Sequence, residues 1–231
     1  MLGADACRAG WVGVVVGAGA EAGGDEVRAY VDGEIAGLVA RALADSPLAA
    51  IGIDIPIGLP DQSARQADLL ARKAAGPRWA SVFVTPVRAA LHCPGHQEAS
   101  ALNRKLAGSG ISRQAFNLRD KILQVDRWLP DAPCAVAEVH PELCFAAMAG
   151  APLPDSKTTW AGAVRRGELL AAQGIRLDGD LGLSGEQAGV DDVLDAAAVA
   201  WTARRIAQGI ARRLPAEPER FSDLIDCAIW T

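Results

Sequence analysis

Aromatic side chains other than Trp are scarce in this chain of 231 residues, which has one Tyr and four Phe. Bases of a nucleic acid would therefore find few rings to stack on. Long apolar runs are missing too. No stretch approaches the roughly 20 apolar residues that a membrane span needs, so no membrane partner is expected. The opening MLGADACRAGW has no basic region followed by an apolar stretch, which predicts no secretory signal and a cytoplasmic protein. The five cysteines (Cys7, Cys93, Cys134, Cys144, Cys227) are odd in number and form no C-x-x-C pair. Reduced thiols follow from that, and a disulfide framework is disfavoured. Pro and Gly are too few for a disordered chain, and there is neither an internal repeat nor a low-complexity segment. What remains is a half-apolar sequence, enough for one sizeable core and a single domain over 1–231.

The net charge of −5 argues against a general nucleic-acid binder, but its distribution is uneven. Residues 61–130 hold 11 Lys or Arg against 5 Asp or Glu; the remainder holds 12 against 23. A basic segment beside an acidic remainder suits an enzyme that holds a phosphate polymer over a carboxylate cluster. A solvated basic helical segment would give the same numbers.

Local patterning predicts strands at Leu2–Ala6, Trp11–Val16 and Glu26–Val31, joined by turns at Cys7–Gly10 and Gly17–Gly24. A helix follows over Ile35–Ala44, stopped by Asp45-Ser46-Pro47, then an apolar strand over Ala49–Ile53. Residues 61–130 read as mainly helical, a fifth strand as Ala135–Val139, and two later helices as Thr159–Gln173 and Asp191–Arg213. The order predicts an α/β fold with a mixed five-stranded sheet flanked by helices, the first strand central, and a helical insertion after the fourth.

Asp5 and Asp54 sit at the ends of two apolar strands, where sites of open α/β sheets collect. Each also suits the start of a turn. Asp191 or Asp192 makes a good helix cap. Asp195 lies a turn inside its helix, on the face of Asp191 and Asp192 and among Leu194, Ala196–Ala198 and Val199. An unpaired carboxylate buried there is costly, and a bound cation removes the cost. Glu138 and His140 alternate with apolar residues and point the same way; they suit ligands, a proton-transfer pair or an ordinary hydrogen-bonded pair. Glu142 suits the start of the next helix. Gly17–Ala22 imitates a dinucleotide fingerprint, but a new strand follows where a helix is required. His92-Cys93-Pro-Gly-His96 has no second ligand pair and reads as a loop.

The pieces GADACRAGW, IGIDIPIGLP, SVFVTPVRAAL, GISRQAFNL with KILQVD, EVHPELCFAAMAG and GVDDVLDAAAVAWTA resemble, in order, the prokaryotic domain-of-unknown-function family 429. That family is described as predicted nucleases with a ribonuclease-H fold. Asp192-Val-Leu-Asp195-Ala is also similar to the paired final aspartates of Holliday-junction resolvases, with Asp5 and Asp54 resembling their first- and fourth-strand carboxylates. The chain departs from the family at Ala6, usually Gly, and at Gln124, usually Glu.

Two functional readings follow. In the first, Asp5, Asp54, Asp192 and Asp195, with Glu138 in reserve, bind two Mg2+ or Mn2+ ions about 4 Å apart and hydrolyse phosphodiesters. Arg88, Arg113, Lys121 and Lys157, with His140, would bind a nucleic-acid substrate. In the second, the same fold is a non-catalytic scaffold for a nucleotide or a protein. Phosphotransfer of the actin-like kind ranks last, because no second glycine-rich phosphate loop is present.

Overall fold

The computed structural model describes residues 1–18, 27–183 and 188–231. The greater part of the glycine-rich turn at 17–24, with residues 19–22 of the fingerprint-like stretch, and the start of the expected third strand lie outside them.

Three strands, β1 (Leu2–Cys7), β2 (Gly10–Val15) and β3 (Arg28–Asp32), form an antiparallel meander. Helix α1 (Ile35–Asp45) crosses to β4 (Ala50–Ile53), which pairs parallel to β1. Five helices connect β4 to β5 (Ala135–Val139): α2 (Gln66–Ala74), α3 (Arg88–Leu91), α4 (His96–Ala107), α5 (Arg113–Asn117) and α6 (Arg119–Trp128). Then come α7 (Pro141–Ala149), α8 (Trp160–Ala172) and α9 (Val190–Ala207), and last β6 (Arg213–Glu219) and β7 (Cys227–Trp230). The sheet order is β3-β2-β1-β4-β5-β7-β6. Pro141 opens α7, where its missing N–H is no loss.

Among the described residues the sheet thus has seven strands, two more than expected. The helix expected to reach Arg213 ends at Ala207, followed by Gly209 in the left-handed region (φ 71°). β6 carries Pro215 and Pro218, which hide its strand character, yet it lies at the sheet edge where prolines are tolerated.

The sheet is covered on both faces. One face packs against α7, α8 and α9 around Val12, Val14, Val139, Phe145 and Val199. The other packs against α1 and α6 around Leu2, Trp11, Ile51, Ile53 and Ile122. The basic segment is therefore partly core. Gln124, the second departure from the family pattern, accepts hydrogen bonds from the Trp11 indole and from the Ile35 amide that opens α1. Its role there is structural. Among the described residues no helix is long and apolar enough to cross a membrane.

Candidate active site

Alternation along β1 sends Gly3 and Asp5 to the α9 face, while Leu2 and Ala4 face the opposite core. On β4, Gly52 meets Val199 of α9, so Asp54 projects to that same face. The two strands are parallel neighbours with Ala4 opposite Ile53, and the Asp54 amide donates to the Ala4 carbonyl at 2.9 Å. Asp5 and Asp54 are therefore adjacent at the carboxyl end of the sheet. The first turns of α9 lie above them. Asp195 is 3% exposed, and Asp5 7%.

A cavity of about 210 Å³ is lined by Asp5, Asp54, Asp192, Asp195, His140 and Lys157 on one side and by Phe83, Gln114 and Leu118 on another. Burial, then Asp54 and Asp195, holds the Asp5 carboxyl well above the ordinary carboxylate range. Burial likewise pushes Asp54 to about 7, with Lys157 opposing and Glu142 adding to the rise. Asp195 is pushed to about 7 by burial against the pull of Lys157, with Asp54 adding to the rise. Asp192 is raised by burial too, although its carboxylate accepts from the Gly189 amide at 3.1 Å and so secures the start of α9. Capping and site membership coexist in that residue.

Lys157 is the cation of this cluster. It comes from the segment between α7 and α8, donates to Asp195 Oδ2 and stands 3.8 Å from Asp191. Burial would lower the Lys157 ammonium, but Asp195 outweighs it and holds it above its ordinary value. The Nδ1 of His140 is buried without a hydrogen-bond partner. Burial keeps that imidazole below its usual range despite the carboxylates around it.

Glu138 lines the same cavity, but its carboxylate is engaged by Arg65. Register places Gly52 opposite Ala137, so Ala137 and Val139 take the α9 face and Glu138 the other. Its two oxygens accept from Arg65 at 2.7 Å each, and one also from the Ile57 amide at 2.8 Å. Arg65, fully buried, is held by Asp68 as well, and Asp68 in turn accepts from the Thr85 amide. Glu142, in the first turn of α7, accepts both bonds from Arg166 Nη2 at 2.9 Å. Sequence reasoning missed Arg65 and Arg166. The signal for Arg166 was present: it shares the inward stripe of α8 with Gly162, Leu169 and Leu170.

Three of the four expected phosphate-binding cations lie away from the cavity. Arg88 is engaged by Asp126 at 2.6 Å and by Asp223 at 2.7 Å, tying α3 to α6 and to the turn before β7. Lys121 lies 4.9 Å from the centre of the Trp11 ring and donates to the Gly33 carbonyl. Arg113 is exposed on α5. Among the described residues, Arg65 is the one cation of the basic segment in the cavity lining. Residues 92–95 form a loop, and His96 opens α4 with its Nε2 paired with the Ile111 carbonyl at 2.9 Å.

The donors facing the cavity from β1, β4 and α9 are all oxygens, which suits a hard divalent cation. Among the described residues no three His, Cys, Asp or Glu are gathered into a ready-made metal cage. The fit rests instead on Asp54, which has no hydrogen-bond donor among the described residues, and on the unpartnered Nδ1 of His140.

A family model described as "Protein of unknown function (DUF429)" matches residues 3–220. No curated protein matches the chain, and no solved structure does.

Proposed function

Because the chain belongs to this family of proteins of unknown function, its activity must be read from its own site, and we propose that it is a divalent-metal-dependent phosphodiesterase of the ribonuclease-H type that cleaves nucleic acid. The observation that carries the reading is the meeting of Asp5, Asp54, Asp192 and Asp195 in one cavity at the carboxyl ends of two parallel strands. The order β3-β2-β1-β4-β5, a meander followed by parallel strands, supports the fold part of the proposal.

Asp5, Asp54 and Asp195 would hold Mg2+ or Mn2+, with Asp192 at the rim. The bound ion would supply an activated water and charge stabilisation for the departing oxygen. The chain's own contribution is geometric. Apolar walls at Val82, Phe83 and Leu118 limit water, and Lys157 presents positive charge beside the carboxylates.

The test is cleavage of labelled single-stranded and duplex oligonucleotides with Mn2+, Mg2+ or EDTA. Metal-dependent cleavage lost in Asp5→Asn, Asp54→Asn and Asp195→Asn is expected. No cleavage with either metal on any substrate would reject the reading in favour of a binding scaffold.

A further inference from the structure

Partners are distributed unequally within the carboxylate cluster. Asp195 and Asp191 face the Lys157 ammonium. Among the described residues, Asp5 accepts one bond from the neighbouring Ala6 amide and Asp54 accepts none. His140 lines the same cavity, and its Nδ1 is buried and unpartnered. The other buried cations nearby are committed elsewhere, Arg65 to Glu138 and Asp68 and Arg166 to Glu142. The cluster is therefore divided into a half already neutralised by an ammonium and a half with free oxygens.

Lys157 is also held in place. Its neighbour Ser156 offers its carbonyl to the Thr159 amide at 3.0 Å and to the Thr159 hydroxyl at 2.8 Å. Thr159 caps α8 by accepting from the Gly162 amide. A Cβ on Gly162 would stand 1.9 Å from the Ser156 carbonyl oxygen, so this approach requires glycine. Arg166 Nη1 donates to the Asp155 and Gly162 carbonyls while its Nη2 grips Glu142. A freely moving surface lysine would have no such frame around its backbone.

We infer that Lys157 is a built-in cation of the site, occupying one of two cation positions, so that the protein binds one divalent ion per chain on the Asp5–Asp54 half. The inference rests on the metal-dependent reading above, replaces the two-ion form expected from the sequence, and assigns Asp195 to Lys157 and not to the ion. The ammonium would then stay beside the ion, where it can neutralise a substrate phosphate without being a metal.

Titration calorimetry with manganese alone separates the possibilities, using wild type, Lys157→Met, Lys157→Arg and Asp54→Asn. One ion is expected for wild type and for Lys157→Arg, and none for Asp54→Asn. Lys157→Met should bind a second ion or bind the first about tenfold more tightly, since a positive neighbour is gone. Two ions on wild type would overturn the inference and leave the metal reading standing. Binding by Lys157→Met identical to wild type would do the same. No heat from wild type or Lys157→Met would reject the metal reading and the inference with it. Lys157→Gln substitutes if the Met variant does not fold, and the wild-type stoichiometry decides between one ion and two without any variant.

Discussion

A Cβ placed on Gly3 would stand 2.1 Å from the Ala200 amide nitrogen. Strand β1 and helix α9 thus meet backbone to backbone, which explains the run of fully buried alanines at Ala196, Ala197, Ala198 and Ala200. The same contact sets Asp195 above Asp5. Gly3→Ala must push the helix off the strand. We expect a loss of about 1–3 kcal/mol, the usual cost of overpacking, in urea unfolding, together with weakened manganese binding. Unchanged stability would mean that the helix rides farther from the sheet.

The carboxylates make stability depend on pH. Asp54 and Asp195 titrate at about 7 in the folded protein against an ordinary 3.8. The folded state therefore binds more protons between those values. Their contribution is fully present below the ordinary value and is lost as pH rises through the folded one. In EDTA, thermal melts should show lower stability at pH 8 than at pH 5. Asp54→Asn should recover roughly 1–3 kcal/mol at pH 8 and little at pH 5. Wild type and variant with parallel pH profiles would contradict the assignment. Asp195→Asn is the poorer probe, because it also deprives Lys157 of its partner.

The Arg65–Glu138–Asp68 network is structural, and its members should behave as a unit. Removing one partner strands a buried charge, so Arg65→Met or Glu138→Gln should cost about 3–5 kcal/mol. The double variant Arg65→Met, Glu138→Leu should cost less than the sum of its singles. Additive losses in urea titrations would show that the pair is not coupled.

Arg88 and Arg113 should separate stability from binding. Arg88 joins Asp126 and Asp223, so Arg88→Ala should lower unfolding stability by about 2 kcal/mol and leave oligonucleotide affinity unchanged. Arg113→Ala should leave stability within about 0.5 kcal/mol and reduce the salt dependence of binding. The reverse pattern would return Arg88 to the substrate surface.

The sequence by itself determined the strand ends that carry Asp5 and Asp54, the helix bearing Asp192 and Asp195, and the βββαβ opening. Each follows from local patterning, alternation on strands and period on helices, so neighbours in sequence are enough to reveal it. Partner choice was not legible. Glu138 and Arg65 lie 73 residues apart, Lys157 and Asp195 38, and Arg88 and Asp223 135. Nothing in a local window distinguishes an arginine bound for the core from one bound for solvent. Register decided the fate of Glu138: one step along β5 turns a side chain from the α9 face to the other. The two last strands escaped for a related reason. β7 has four residues, and β6 is a strand because β7 pairs with it, which only the assembled sheet could supply.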